Sequence, residues 1–454
     1  MKRNRPTAVL SVCSFVISNA LLAQLEPTAI APMMDYREAH AMVPVGSGML
    51  VIGGFDGGAT TAACEWYDLE MDDWTSVASL PEPRQDATAH SVAEGVFVIG
   101  GWDGGATNFD DILRYDAELD EWTAVATMGQ GRSGHASVVT PEGIFICGGY
   151  NGSVDLAECD LFDVSSYEVT PMPAMGVARS SFAMMQFDHA GTPLTLVAGG
   201  FNPGGGFQLA ACEVFDGAAW VPAADLPWGV DNLAGAVIGG GSVPVVTGGR
   251  VFNGVANLFE GIDQGAVYDA GSDAWVAFDL AGPHSYHGMA AGSDSHIWIS
   301  GGANETGNGV STTFSFAEQG QLEAAGLVLP FASAMEPAEC AGRFRAAVAT
   351  DGDWVVVTGG DEAMVGTGYR VALNGPSVVS APFEPSDLSV FPNPCVGRAV
   401  LVGADASEPW QVFDRNGRLV LEGRGPGVDL APLANGWYTV RVAGGRKASV
   451  ILQK

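Results

Sequence analysis

The chain is predicted to be all-β, a closed ring of short four-stranded sheets followed by a small separate sandwich. Three repeating observations predict it. First, a Gly-Gly pair ends a short apolar run at Gly53-Gly54, Gly100-Gly101, Gly148-Gly149, Gly199-Gly200, Gly248-Gly249, Gly301-Gly302 and Gly359-Gly360, with first glycines 47 to 58 residues apart. Second, an arginine stands sixteen residues before the first glycine at Arg37, Arg84, Arg132 and Arg343. Third, an aromatic-Asp pair follows at Tyr67-Asp68, Tyr115-Asp116, Phe162-Asp163, Phe215-Asp216 and Tyr268-Asp269, and a tryptophan comes after four of these, at Trp74, Trp122, Trp220 and Trp275. A period near 50 residues marks an array of one supersecondary unit.

Each part of the unit has a physical reason. The runs before glycine (MLVI, VFVI, IFIC, LTLVA, VPVV, IWIS, WVVV) are short, β-branched or aromatic, and read as buried strands. Glycine at the end of that strand permits positive φ and close approach of neighbouring backbone. The aromatic residue and the tryptophan supply apolar area where one sheet stacks on the next, and the Asp suits a tight turn. One such sheet cannot bury both faces alone, so the units must stack, and closing them into a ring protects their edges.

Di-glycine, aromatic-Asp, tryptophan and a Pro-Arg turn such as Pro83-Arg84 together resemble the kelch motif, over roughly residues 25–380. The resemblance implies a kelch-type β-propeller. Units six and seven depart from it, with Phe316-Ala317 and Leu373-Asn374 in place of aromatic-Asp. Seven blades is the preferred count, the segment Pro27–Met33 completing the last sheet; six blades plus an irregular extension is the alternative.

Both ends read as address labels. Met1–Gln24 has a basic start at Lys2, Arg3 and Arg5, an apolar stretch from Ala8, and small residues at Ala20 and Ala23, the pattern of a signal peptide. Val12 before Cys13 argues against lipidation, and no later stretch has the length of a transmembrane helix. After a linker at 381–386 the repeat is abandoned. Residues 387–454 alternate as a small immunoglobulin-like antiparallel sandwich, with turns at Asn416-Gly417 and Gly444-Gly445. Phe391-Pro392-Asn393-Pro394, Asp414, Gly417, Gly436 and Tyr438, with a basic C-terminus, resemble the C-terminal sorting domain of type IX secretion substrates. That resemblance implies passage across the outer membrane, to release or to surface attachment, with the secretion machinery as a partner.

The chain is 454 residues long with a net charge of −32. The propeller region carries nine arginines and no lysine against 46 acidic residues, which excludes nucleic acid as a natural partner. A monomer is expected. Cys64, Cys159 and Cys212 occupy equivalent places in different blades, beyond disulfide reach of one another. With Cys147 they read as small buried hydrophobes. No C-x-x-C, G-x-S-x-G, H-E-x-x-H, phosphate loop or EF-hand loop is present, so no catalytic set and no cofactor is expected, calcium and copper being left open. His40 and His135, three residues after the repeat arginine, read as structural, whereas His284, Tyr286 and His287 form the one cluster that hints at a copper site.

The loop after the second strand and the turn between blades should emerge on one face. That places Phe55, Asp56, Trp102, Asp103, Tyr150, Asn151, Phe201, Asn202, Arg250, Asn304 and Asp361 around a ring, with Arg345 on an inter-blade turn. Peptide-binding kelch domains resemble this arrangement, their contacts following the di-glycine or lying two residues after the inter-blade arginine, as Arg250 and Arg345 do. Aromatics beside Asp and Asn also suit sugars, although Asp-Gly and Asn-Gly make turns without any ligand. The expected function is a secreted or cell-surface module binding a protein, peptide or carbohydrate on this face. The alternative is an enzyme: carbohydrate-active, a copper-dependent oxidase of the galactose-oxidase type, or a sialic-acid mutarotase.

Overall fold

The computed structural model describes residues 28–205, 207–254, 258–291 and 296–300, and beyond them 303–305, 311–313, 317–321, 332–334, 345, 347–351, 353–360, 366–372, 389–391, 398–402, 409–414, 418–424, 427–429, 433, 436–442 and 447–452. The signal-like segment and the linker lie outside them. The chain divides into two compact units, Met1–Gly375 and Pro376–Lys454.

In the first unit the apolar runs are strands, as their β-branched composition demands, and each is the second strand of an antiparallel sheet. The first blade consists of Ala41–Val45, Gly48–Ile52, Cys64–Asp68 and Asp73–Val77, and the second of Thr88–Val92, Gly95–Ile99, Asp111–Asp116 and Glu121–Thr127. The third holds Ala136–Thr140, Gly143–Cys147, Cys159–Phe162 and Val169–Met172; the fourth, Ala183–His189, Thr192–Ala198, Cys212–Phe215 and Trp220–Ala223. Ala234–Ile238, Val243–Thr247, Leu258–Asp269 and Ala274–His284 form the fifth, and Gly288–Ala291, His296–Ser300, Ala317–Gln321 and Ala332–Ala334 the sixth. These six blades are built from consecutive stretches of chain. A closing sheet joins the ends, pairing Ala347–Thr350, Trp354–Thr358 and Gly368–Ala372 with Thr28–Ile30 from the start of the chain. Innermost strands of successive sheets lie side by side, and that of the closing sheet lies beside that of the first blade, so the ring is complete.

The di-glycines are required where the blades meet. A Cβ on Gly54 would stand 2.6 Å from the Glu38 carbonyl oxygen and 2.8 Å from the His40 Cβ, and both glycines have positive φ. In the first, second and fifth blades, Tyr67, Tyr115 and Tyr268 donate to Asp72, Asp120 and Asp273 at 2.7–2.8 Å. Each of these aspartates also accepts from a backbone N–H of the preceding sheet, at Ala31, Ala78 and Ala224. The tryptophans return the bond, Trp74 to the Ala31 carbonyl, Trp122 to Ala78 and Trp275 to Ala224. The repeated tryptophan is therefore an inter-blade clamp as well as an apolar block.

One expectation is corrected. Cys147 and Cys159 are joined by a disulfide, with Cα atoms 4.2 Å apart, while Cys64 and Cys212 are free and buried. The three equivalent cysteines do lie in different blades. The pairing arises because Cys147 and Cys159 face each other on adjacent antiparallel strands of the third blade.

In the second unit Ser389–Phe391, Arg398–Val402 and Gly427–Asp429 form one antiparallel sheet, and Pro409–Asp414, Leu419–Arg424, Gly436–Val442 and Lys447–Leu452 another. Trp410 and Val412 are buried, as the alternation requires. Asp414 pairs with Tyr438 across the second sheet, Gly436 pairs with Leu452, and Phe391 pairs with Val400 in the first. Pro392, Asn393, Pro394 and Gly417 lie outside the described residues.

Candidate functional site

The residue after each di-glycine pairs with the residue after each inter-blade arginine position. These bridges are Glu38 with Phe55, Gln85 with Trp102, Ser133 with Tyr150, Ser180 with Phe201, and Asp231 with Arg250. The loops and turns therefore share one face. One residue further along, Ala39, Asp86, Gly134, Ser181, Asn232, Tyr286 and Arg345 all have φ between 52° and 58°. Six of the seven neighbouring pairs are linked by backbone bonds around the axis, all but Asp86 and Gly134: Asp86 N–H donates to Ala39, Ser181 to Gly134, Asn232 to Ser181, Tyr286 to Asn232, Arg345 to Tyr286, and Ala39 to Arg345. This necklace outlines the mouth of the central channel.

The arginines divide into two kinds. Arg37, Arg84, Arg132 and Arg179 are at most 1 % exposed. Each donates to the carbonyl of a first di-glycine residue at 2.7–3.3 Å, and each is ion-paired with Glu65, Asp111, Asp160 or Glu213 on the third strand of its blade. They tie the blade together. Sequence reasoning missed the acidic partners, although three of them directly follow the repeated cysteine. Arg250 and Arg345 are different, with side chains 19 % and 23 % exposed.

Backbone bonding shows why the pattern changes. Gly54, Gly101 and Gly149 donate to the carbonyls of Arg84, Arg132 and Arg179, whereas Gly200 and Gly249 donate to those of Val230 and His284. Val230 and His284 thus stand in arginine positions. His287 bonds Thr247 at 2.9 Å, as His135 bonds Thr88 and His40 bonds Thr358. The His284–Tyr286–His287 cluster therefore separates into two histidines at buried repeat positions and a tyrosine on the necklace. Burial holds His287 well below the usual histidine range. Among the described residues no group of three or more His, Cys, Asp or Glu side chains is placed to hold a metal ion.

At the mouth, Tyr286 lies under two guanidinium groups, Arg250 at 5.1 Å and Arg345 at 6.0 Å from the ring centroid, within or near the range of a cation–π contact. Arg250 pairs with fully buried Asp231 at 2.6 Å, which also accepts from Gln208 and Asn232. Arg345 pairs with Asp86, its next neighbour but one on the necklace. Burial opposes its charge, but Asp86 and Glu38 outweigh that, and its pKa lies above the ordinary arginine value. Glu38 accepts from the Tyr36 hydroxyl at 3.0 Å, and burial raises its carboxyl above the usual range despite that bond and the nearby Arg345.

The other expected face residues are placed as follows. Asp56, Asp103, Asn151 and Asn202 cap their own turns, accepting from backbone N–H groups two to four residues on at 2.7–3.0 Å. Those bonds hold Asp56 and Asp103 below the usual carboxylate range. They shape loops, and the aromatics beside them supply the surface: Tyr150 is 41 % exposed, Phe55, Trp102 and Phe201 are half-buried, and the Trp102 indole is fixed to the Gly105 carbonyl at 3.0 Å. Blades four to six replace the tight turn with raised hairpins, pairing Phe201–Asn202 with Phe207–Gln208, Arg250–Asn253 with the start of Leu258–Asp269, and Ala303–Glu305 with Ser311–Thr313. Asn304 lies in the last of these, and Asp361 is outside the described residues. One side of the mouth is consequently low and aromatic, the other high.

Residues 5–200 match the family described as the KLHDC2/KLHL20/DRC7 Kelch-repeats domain. Among solved structures the chain is similar to the one titled "Structure of YjhT", at 15 % identity and a TM-score of 0.52, covering 67 % of this chain and 99 % of that one. No curated protein matches it. The first unit has a kelch-type β-propeller fold, in keeping with both likenesses.

Proposed function

We propose that the propeller is a binding module whose ligand, a protein or peptide segment, seats over the channel mouth against Tyr286, Arg250 and Arg345. The observation that carries this is the segregation of arginine. Four repeat arginines are sealed in the blades, yet Arg250 stands on a face loop and Arg345 on the necklace, beside carboxylates that keep them oriented. A peptide would meet aromatic surface on the low side, fixed donors at the centre and a hairpin wall on the high side, the combination that concentrates binding energy in a few anchors.

Selection of displayed peptides against the purified protein tests it. Arg345→Ala and Arg250→Ala should each weaken a selected ligand by about tenfold or more, the usual loss for an interfacial arginine anchor. Selected ligands indifferent to both changes would overturn the reading. A carbohydrate-active reading is favoured by one feature, the raised carboxyl of Glu38 beside Asp86; turnover of a sugar by the purified protein, abolished in Glu38→Gln, would establish it instead. We also propose export by the type IX route, supported by the end sequences and by a disulfide of the kind that persists in oxidising compartments. Deleting 386–454 should leave the propeller in the periplasm, and normal export of that truncation would refute the route.

A further inference from the structure

A second candidate site lies away from the channel mouth, between the third and fourth blades. The equivalent place between the first and second blades holds a pocket of about 450 Å3 lined by Val96, Arg114, Tyr115 and Asp116. Strand register gives the equivalents: Thr195 stands opposite Phe215 as Val96 stands opposite Tyr115, and Leu196 opposite Val214 as Phe97 opposite Arg114. Between the third and fourth blades the arginine is thus replaced by valine, Val by Thr, and Tyr has lost its hydroxyl.

The cavity there measures about 300 Å3 and is lined by Phe145, Leu161, Met172 and Phe215, with Gln186 and Thr195 on one wall. Thr195 donates to the Gln186 side-chain oxygen at 2.6 Å, which fixes the amide. Phe145 and Phe215 lie with centroids 5.1 Å apart, as an aromatic wall. Glu142 and Asp216 stand at the rim, both exposed, and no basic side chain is among the described lining residues. Asp216 is kept ionised by the Ala219 and Ala218 N–H groups, which hold it below the usual carboxylate range. Mostly apolar walls, a few fixed polar groups and this volume are the marks of a small-molecule pocket.

We propose that this inter-blade cavity binds a small aryl- or alkylammonium compound, its apolar part against Phe145, Leu161 and Phe215 and its cationic end toward Glu142 and Asp216. The choice of a cation follows from the rim charges and from the lack of a basic side chain among the described lining residues. The site is independent of the one at the channel mouth.

Calorimetric titration of the mature full chain tests it with three probes of one shape: phenethylammonium, 2-phenylethanol and phenylacetate. Phenethylammonium should bind about fivefold more tightly than the alcohol, the scale of an exposed ion pair, and phenylacetate more weakly than either. Leu161→Trp, which enlarges a side chain that lines the cavity, should abolish binding of all three. Should that variant fold poorly, Glu142→Gln on the exposed rim should instead erase most of the gap between ammonium and alcohol. No binding by phenethylammonium, equal binding by phenylacetate, or ammonium binding unaltered by Leu161→Trp would each overturn the proposal.

Discussion

The Arg132 guanidinium, 1 % exposed, donates to the carbonyls of Gly148 and Glu158 and to the Asp160 carboxylate at 2.8–3.2 Å. Burial already raises the Asp160 carboxyl, so removing its partner leaves an acid in a place that penalises charge. Arg132→Ala should therefore cost about 3–5 kcal/mol, the range for breaking a buried pair, seen as a fall of about 10 °C in the melting midpoint. A midpoint within a degree or two of the parent would show that the pair does not hold the blade. Histidine gives the pH dependence. Burial, with Arg132 beside it, pushes His135 down to about 3, and burial pushes His90 down to about 4. Unfolded histidine titrates near about 6.5, so acid favours the unfolded chain. The contribution of the neutral rings is complete above that value and is lost as pH falls toward 4. Thermal melts should show the midpoint dropping from pH 7 to pH 4, and the drop should be shallower in His135→Gln, which is less stable at pH 7. Parallel curves for the two proteins would refute this.

Within the third blade, the disulfide between Cys147 and Cys159 closes the loop that presents Tyr150 and Asn151 on the binding face. Reduction, or the double change Cys147→Ala and Cys159→Ala, should cost about 3 kcal/mol for a loop of this length and should speed proteolysis at 148–158. An unchanged cleavage rate there would mean that the turn bonds of Asn151 hold the loop alone. The cysteine periodicity was readable and showed correctly that Cys64, Cys159 and Cys212 lie in separate blades. The pairing was not readable, because it depends on cross-strand register, in which Cys64 faces Ile52, Cys159 faces Cys147 and Cys212 faces Ala198. The same limit applies to Asp56, Asp103, Asn151 and Asn202. A side chain that caps a turn and one that meets a ligand are the same residue type on the same loop. Only the hydrogen bonds tell them apart. Strands and di-glycines were legible because backbone sterics leave so few residues able to occupy those places. The acids that anchor the sealed arginines were not legible, since Glu and Asp alternate at the place after the repeated cysteine and the fourth, Asp111, follows no cysteine.

At the scale of the molecule, the ring is closed by chain ends brought together from far apart in sequence. Thr28, Ala29 and Ile30 pair with Arg370, Tyr369 and Gly368. The next residue, Ala31, is gripped by the first blade through the Trp74 indole at 2.7 Å and Asp72 at 3.0 Å, the clamp used between other neighbouring blades. Ile30 and Met33 are buried in the cluster that also holds Met49, Val51, Tyr67 and Val356. This short strand therefore serves two sheets at once, and its removal exposes an edge on one and unclamps the other. Loss of the two buried side chains alone should cost about 4–6 kcal/mol, at about 2–3 kcal/mol for each. Deleting 25–33, with the signal-like segment kept in place, should lower the melting midpoint by about 10–15 °C on the scale of a domain this large. It should also broaden the transition, because stacked repeats without closure unfold blade by blade instead of together. Hydrogen exchange would show the closing sheet and the first blade losing protection first, with the third and fourth blades unaffected. A single sharp transition at the parent temperature would mean that stacking of neighbouring sheets suffices and that the joining of the ends contributes nothing.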